Sequence, residues 1–122
     1  MKVLVVDDSM VMRKIILNAL VDIGIGEDSI EQCGDGSQAI AAVAKGSFDL
    51  ILMDWNMPSV PGIDAVKSIR SSGNKTPIIM VTTEGEKDRV ITAIQAGANN
   101  YLVKPFDAKD LKQKVKATLG IG

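Results

Sequence analysis

The sequence predicts an α/β fold, because strand-like and helix-like segments alternate five times along its 122 residues. Short apolar runs at 3–6 and 50–53 are typical of strands that are buried on both faces of a parallel sheet. Most of the predicted strands also end directly in polar residues. The length and the 46% hydrophobic content fit a single domain, 1–122, with a substantial core.

The first two strand–helix units carry clear boundary signals. The first strand, 3–6, ends at Asp7-Asp8, and Ser9 is a good N-cap for a helix with a helically spaced apolar face. Glycines at 24 and 26 close that helix. A weaker strand is predicted at 29–33, and Gly34-Asp35-Gly36 then turns into a second helix. The apolar residues of the two helices are Met12, Ile16, Ala19, Leu20 and Ile23, and then Ala39, Ile40, Val43 and Ala44.

The remaining units repeat the pattern. The third strand ends on Asp54, since Pro58 and Pro61-Gly62 prevent its continuation. Strands are also predicted at 78–81, ending at Thr82-Thr83, and at 100–103, ending at Lys104-Pro105. Helices are expected near 63–70, from about 86 to 96, and over 107–119. Their inward residues are predicted to be Ile63, Val66 and Ile69, then Val90, Ile91 and Ile94, and then Leu111, Val115 and Leu119.

The short links favour a doubly wound, flavodoxin-like (βα)5 fold with strand order 2-1-3-4-5 and helices on both faces. In that order strands one and three are neighbours, so Asp7, Asp8 and Asp54 meet at the carboxyl edge. Strands four and five lie on the other side of strand three. They bring Thr82 and Lys104 to the same edge.

Composition excludes several classes of function. The 14 Lys+Arg and 15 Asp+Glu are balanced, which gives no sign of a nucleic-acid groove or a membrane surface. With no long apolar stretch and no signal peptide, a cytoplasmic protein is expected. The chain has no histidine, so the commonest general base and the usual triads are absent. Its single cysteine, Cys33, excludes an internal disulfide and is predicted to be a core residue.

The predicted acid cluster needs a cation. Carboxylates about 5 Å apart repel by about 3 kcal/mol per pair at an effective dielectric of 20. Oxygen-only ligands suit Mg²⁺ or Mn²⁺. A carboxylate beside such a cation can accept a phosphoryl group, with Lys104 and Thr82 assisting. The alternative is that Asp54 only ends its strand in solvent, while Asp7 and Asp8 favour a helix N-terminus by about 0.3–1 kcal/mol each.

Four motifs carry a family resemblance. Val5-Val6-Asp7-Asp8-Ser9, Met53-Asp54-Trp55-Asn56-Met57-Pro58, Val81-Thr82-Thr83-Glu84 and Tyr101-Leu102-Val103-Lys104-Pro105-Phe106 resemble the receiver domains of two-component response regulators. They occur in the right order across the whole chain. The second and third motifs are most similar to those of the single-domain regulators of bacterial chemotaxis.

The resemblance implies that Asp54 is phosphorylated by a histidine kinase of the CheA type. It implies that Mg²⁺ is held by Asp7, Asp8, Asp54 and the backbone carbonyl of Asn56. Lys104 would contact the phosphoryl group, followed by a cis bond to Pro105. The modulators of phosphorylation and hydrolysis would be Asn56, Thr83 and Glu84.

Other implications concern the output. Thr82 and Tyr101 would form a switch pair, and Trp55 would report on the metal. The protein would be a monomer without an attached output domain, and its chemistry would be limited to self-catalysed phosphotransfer and autodephosphorylation. Its target would be the flagellar motor switch.

The last helix offers a candidate docking surface. Lys109, Lys112 and Lys116 fall at i, i+3 and i+7, which predicts a cationic stripe beside the switch surface for an acidic, amphipathic partner segment. The alternatives are an ordinary solvated lysine face and, for Tyr101, a plain half-buried strand aromatic.

Three other functions remain open at this point. A haloacid-dehalogenase-type phosphatase needs an acid two residues after its nucleophile, where this chain has Asn56. A flavodoxin needs a Ser/Thr/Gly-rich loop after strand one, where this chain has Asp7-Asp8. A stand-alone receiver serving a phosphorelay outside chemotaxis would carry the same site residues.

Overall fold

The computed structural model describes residues 1–83 and 87–121. Five parallel strands form one sheet in the order β2-β1-β3-β4-β5, as predicted. The strands are β1 (Val3–Val6), β2 (Ile30–Cys33), β3 (Leu50–Asp54), β4 (Ile78–Thr82) and β5 (Asn100–Val103). The helices are α1 (Met10–Asp22), α2 (Gly36–Lys45), α3 (Gly62–Ser71), α4 (Lys87–Ala96) and α5 (Ala108–Leu119).

The sheet separates two apolar cores. On one face α1 and α5 pack against alternate residues of the strands, with Ile16, Leu20, Leu111 and Val115 buried. On the other face α2, α3 and α4 cover the intervening residues. Strands β1, β3 and β4 are buried along their whole length, as expected for central strands covered on both sides.

Polar side chains cap the N-termini of α1 and α5 at the carboxyl edge of the sheet. The Ser9 hydroxyl accepts the N–H of Met12 at 3.2 Å, which confirms it as the N-cap of α1. The Asp107 carboxylate accepts the N–H of Asp110 at 2.8 Å and starts α5. These caps place the loops after β1 and β5 at the same edge of the sheet.

Two sequence predictions about the elements need correction. The second strand begins at Ile30 rather than 29, because 27–29 form a 3-10 turn. In α4, Ile91 and Ile94 do not face inward, since they are 42% and 45% exposed. Ala93 is the buried residue of this helix, and it leaves the isoleucines on the outer side. Apolar spacing identified a helix here but assigned the wrong face.

Other features agree with expectation. Cys33 is a buried free thiol, and burial is the main cause that raises its pKa to about 11. The Lys104–Pro105 peptide bond is cis. Within the described ranges, no helix has both the length and the apolar character needed to cross a membrane.

Candidate functional site

Strand register brings the predicted polar residues to one level. Val6 pairs with Met53, so Asp7 and Asp54 follow side by side at the ends of β1 and β3. Thr82 pairs with Val103, which places Lys104 one residue beyond the end of β5. The topology therefore assembles these side chains at the carboxyl edge, where parallel sheets bind ligands.

The acid cluster is real and mostly buried. One ligand oxygen from each of Asp7, Asp8 and Asp54 lies within 4.8 Å of the others. Asp7 is 1% exposed and Asp54 3%, whereas Asp8 faces solvent. The alternative in which Asp54 simply ends its strand in solvent is therefore wrong.

Lys104 ties the two buried acids together. Its Nζ lies 3.0 Å from Asp7 Oδ2 and 3.2 Å from Asp54 Oδ1. Burial alone would lower the pKa of Lys104, but its contacts with Asp7 and Asp54 outweigh burial and raise it. The ammonium group therefore stays charged and offsets part of the negative charge at the site.

The pKa of Asp54 is raised to about 6. Burial is the main cause and the charge of Asp7 adds to it, while Lys104 and the main-chain N–H of Asn56 act in the opposite direction. The ammonium of Lys104 thus does not fully offset the effects of burial and of Asp7 on the pKa of Asp54. A second positive charge nearby would lower that pKa and favour the ionised carboxylate.

The donor set fits a hard divalent cation. Three carboxylates supply oxygen ligands at one edge of the sheet, and neither histidine nor thiolate contributes to the cluster. Mg²⁺ and Mn²⁺ prefer such oxygen donors, with waters completing the shell. The cluster is therefore compatible with metal binding.

The loop after Asp54 packs tightly against the site. The N–H of Gly62 donates to the carbonyl of Trp55 at 2.9 Å, and a Cβ at position 62 would overlap the carbonyl oxygen of Asp54. Only glycine allows this close approach of backbone to backbone. The first turn of α3 thus packs directly against the end of β3.

Two further contacts involve the residues that directly follow Asp54. Asn56 Nδ2 lies 3.4 Å from Thr83 Oγ1, which joins the loops after β3 and β4. The guanidinium of Arg89, on α4, lies 5.1 Å from the ring centroid of the buried Trp55. Glu84, the third predicted modulator, lies outside the described residues.

The predicted switch pair lies on the opposite face of the sheet from the buried acids. In the register of β4 and β5, Met80 pairs with Tyr101 and Thr82 with Val103, so Thr82 and Tyr101 share the face that α4 covers. Thr82 is buried and Tyr101 is half-buried. Thr82 and Tyr101 therefore lie on adjacent strands, one buried and the other partly open to solvent.

A lysine missed by the sequence analysis accompanies Tyr101. Lys114 of α5 lies 4.6 Å from the Tyr101 ring centroid and 3.4 Å from Asn100 Oδ1. These residues line a hollow of about 420 Å³ between β5 and α5. The other lining residues are Leu102, Val103, Asp110, Gln113 and Ala117.

The predicted lysine stripe does not line this hollow. Lys112 pairs instead with Asp22 of α1 at 3.2 Å, on another side of α5, and Lys109 and Lys116 lie on the same stripe by helical spacing. An exposed pair of this kind contributes little stability. Helical periodicity placed the three lysines on one face correctly, but it did not show which neighbour that face meets.

Arg13 is the second residue that the sequence analysis missed. Its guanidinium donates to the main-chain carbonyl of Asp7 and, at 3.1 Å, to Gln32 Oε1 on β2. Its position six residues after the first acid of the cluster was the only available signal, and helical spacing alone does not predict a contact back to the strand end.

Comparison with known proteins identifies a family. The family model described as "Response regulator receiver domain" matches residues 3–116, nearly the whole chain. The chain is 48% identical over 123 residues to the chemotaxis protein CheY1 of Helicobacter pylori, covering 98% of each sequence. It is also 43% identical over 117 residues to the chemotaxis protein CheY-3 of Vibrio cholerae, covering 94% of this chain and 88% of that protein.

Solved structures agree with these sequence matches. The chemotaxis response regulator CheY4 of Vibrio cholerae superposes with a TM-score of 0.89 at 37% identity, covering 97% of this chain and 98% of that one. The receiver domain of the Francisella response regulator 1452 superposes with a TM-score of 0.86 at 28% identity, covering 98% and 96%.

Proposed function

This chain belongs to the response regulator receiver family, and on that premise we propose that it accepts a phosphoryl group on Asp54 within a two-component phosphorelay. The observation that carries the proposal is the buried Asp54 carboxylate at the carboxyl edge of the sheet, which Lys104 bridges to Asp7. Asp54 ends β3, and the close approach of Gly62 holds its main chain in place.

The proposed reaction moves a phosphoryl group from a nitrogen to an oxygen. A carboxylate oxygen of Asp54 attacks phosphorus of a phosphohistidine, an O–P bond forms and the P–N bond breaks. The departing imidazole nitrogen keeps the electron pair and takes a proton from water. No base is needed on this chain, because the carboxylate is already a nucleophile when it is ionised.

The residues around Asp54 have distinct roles in this proposal. Lys104 remains charged next to Asp54 and balances charge on the equatorial oxygens of the phosphoryl group. Thr82, buried at the end of β4, donates a hydrogen bond to one of these oxygens. Hydrolysis of the acyl phosphate then returns the protein to its starting state, and no other enzymatic activity is proposed.

We further propose that the resident cation is Mg²⁺. Asp7, Asp8, Asp54 and the backbone carbonyl of Asn56 would hold it. When bound, it would neutralise charge on the carboxylates and on the incoming phosphoryl oxygens. Because the pKa of Asp54 is raised to about 6 by burial and Asp7, a bound cation would also keep this nucleophile ionised.

Chemotaxis is the pathway that the relatives favour. Proteins named as chemotaxis proteins match this chain at 43–48% identity over most of its length. The phosphodonor would then be a histidine kinase of the CheA type, and the target would be the flagellar motor switch. A phosphorelay outside chemotaxis is the alternative, and profiling phosphotransfer from the host's histidine kinases would distinguish the two.

The output would pass through Thr82 and Tyr101 to the hollow between β5 and α5. Phosphorylation draws the Thr82 hydroxyl toward the phosphate, and Tyr101 then occupies the space that Thr82 leaves. Lys114 beside Tyr101 supplies the positive charge that an acidic, amphipathic partner segment needs. We therefore propose that Lys114 contacts the acidic partner segment, in place of the predicted stripe of Lys109, Lys112 and Lys116.

The test of the phosphoacceptor is direct. The protein is incubated with Mg²⁺ and phosphoramidate or acetyl phosphate, and intact mass is measured for wild type, Asp54→Asn and Asp54→Ala. Wild type should gain one phosphoryl group and both variants should not, while Asp64→Asn, an exposed acid of α3, should behave as wild type. Undiminished modification of both Asp54 variants would refute the assignment.

The output surface needs a second experiment. Binding of a motor-switch segment is titrated with and without beryllofluoride, which mimics the phosphoryl group. Beryllofluoride should tighten binding, and Tyr101→Ala and Lys114→Ala should each weaken it. Lys112→Ala removes the same single charge from the side of α5 that faces α1, so it is the matched control and should have the smaller effect. Equal affinity in both states would mean that the output surface lies elsewhere.

A further inference from the structure

Arg13 holds the peptide unit that joins two acids of the site. Its Nη1 donates to the carbonyl oxygen of Asp7, and this carbonyl belongs to the same planar peptide group as the N–H of Asp8. Rotation of that group would change the directions in which both side chains leave the chain. A donor fixed on this carbonyl therefore restricts Asp7 and Asp8 together.

Among residues 1–83 and 87–121, no main-chain N–H of a neighbouring strand donates to this carbonyl. The N–H of Asp7 still continues the ladder to β2, donating to the carbonyl of Cys33 at 3.1 Å. After Cys33, β2 ends and the chain turns at Gly34 toward α2, where the Gly34 N–H binds Gln38 Oε1. Arg13 supplies the donor that a longer β2 would have supplied.

Besides the contact with Asp7, Arg13 is held by one contact on its guanidinium and one on its main chain. Its Nε lies 3.1 Å from Gln32 Oε1 on β2, while the main chain of Arg13 is anchored in the first turn of α1 by its N–H on the Ser9 carbonyl at 3.0 Å. A planar guanidinium loses little conformational freedom for each hydrogen bond that it forms, and this one donates to both Gln32 and Asp7. Arg13 thus connects α1, β1 and β2 at one edge.

Two other groups bind the carboxylate of Asp7, while Arg13 binds its main-chain carbonyl. Asp7 Oδ1 accepts the Ser9 N–H at 2.8 Å and Oδ2 lies 3.0 Å from Lys104 Nζ, so its side chain already serves two donors. A cation must bind the remaining lone pairs in a defined direction. Outer groups that orient such ligands commonly change metal affinity by about tenfold or more when they are removed.

From these contacts we propose that Arg13 is a positioning residue for cation binding, acting through the Asp7–Asp8 peptide group with Gln32 as its support. The inference rests on the proposed metal site. It makes a prediction opposite in sign to simple electrostatics: removal of a nearby positive charge should tighten Mg²⁺ binding, whereas loss of the positioning contact should weaken it.

The experiment is a titration with Mg²⁺ alone, read by Trp55 emission and independently by calorimetry. Arg13→Ala should raise the Kd for Mg²⁺ by about tenfold. Arg13→Lys keeps the charge but cannot bridge both acceptors, and it should also raise the Kd. Lys14→Ala removes an exposed charge from the next position of α1, and its Kd should stay the same or fall slightly.

Two further measurements separate positioning from general stability. Gln32→Leu, at an exposed residue, removes only the support of the guanidinium and should raise the Kd by a smaller factor, which keeps the proposal testable if Arg13→Ala fails to fold. With phosphoramidate, the Mg²⁺ concentration for half-maximal rate should rise in Arg13→Lys while the rate at saturating Mg²⁺ stays near wild type.

The experiments distinguish failure of the proposed metal site from failure of the positioning role of Arg13. If wild type shows no response to Mg²⁺ by either method, the proposed metal site is wrong. If wild type binds Mg²⁺ but Arg13→Ala and Arg13→Lys bind it equally or more tightly, the positioning role is wrong. A lower urea midpoint in the Arg13 variants without a change in Kd would likewise overturn it and leave Arg13 with a structural role only.

Discussion

Replacing Asp54 by Asn should stabilise the metal-free protein at neutral pH. The pKa of Asp54 is raised from its ordinary value of 3.8 to about 6, chiefly by burial and then by the charge of Asp7, with Lys104 opposing both. The folded state therefore holds this proton more tightly than the unfolded chain does. Ionisation of Asp54 costs folding free energy, and the neutral amide of Asn avoids that cost.

The magnitude follows from the pKa difference. At about 1.4 kcal/mol for each tenfold change in proton affinity, a pKa near 6 corresponds to up to about 3 kcal/mol at pH 7. The advantage of Asp54→Asn should vanish near pH 4, where the carboxyl is protonated in the folded state, and should grow until pH exceeds 6. In a chain of this length, 3 kcal/mol corresponds to a rise in Tm of about 10 °C.

The assay is urea unfolding in EDTA at several pH values between 4 and 8, for wild type and Asp54→Asn. Titrating groups that do not contact Asp54 cancel in the difference between the two proteins, so the difference reports on Asp54 with its partners Asp7 and Lys104. Asp64→Asn serves as the control for the substitution at an exposed position and should change the urea midpoint at pH 7 much less than Asp54→Asn does. Saturating Mg²⁺ should reverse the order, because it binds the wild-type folded state more tightly. A variant that is less stable than wild type at pH 7, or a difference that does not depend on pH, would refute the reasoning.

Three other outcomes are expected. A millimolar Mg²⁺ titration should change the emission of Trp55, and Asp8→Ala should weaken that response; an unchanged titration in Asp8→Ala would remove this acid from the site. Gly62→Ala should lower the free energy of unfolding by more than about 2 kcal/mol because its Cβ would overlap backbone, whereas Gly26→Ala, where space is available, should change it by less than about 0.5 kcal/mol; equal urea midpoints would contradict the tight packing. Arg70→Lys should cost about 2 kcal/mol in urea unfolding because the guanidinium bonds two carbonyls and a side-chain amide that one ammonium cannot reach together, and a midpoint equal to wild type would contradict this.

Much of the fold could be predicted from the sequence because its signals are local. Strand ends, caps and glycine turns are properties of short segments, and short links between alternating elements leave few topologies. Asp7, Asp54, Thr82 and Lys104 each follow a predicted strand directly, so the order 2-1-3-4-5 was sufficient to bring them to one edge. This is why the acid cluster was predicted correctly.

What only the tertiary structure decided is which neighbour each face meets. The inward side of α4 depends on how closely the helix approaches the sheet, and the small Ala93 rather than the isoleucines occupies that side. The lysine beside Tyr101 is Lys114, because the face of α5 that carries Lys112 meets α1 instead. Helical spacing defines a face but contains no information about the element that packs on it.

The electrostatics of the site likewise required three dimensions. The acids and Lys104 were identified from the sequence, but the raised pKa of Asp54 depends on its burial and on the position of Asp7. The role proposed for Arg13 depends on a side chain that returns across the end of β2 to a main-chain carbonyl. Residue identity determined which chemistry was available, and packing determined which groups touch, because desolvation and hydrogen-bond geometry exist only in the folded chain.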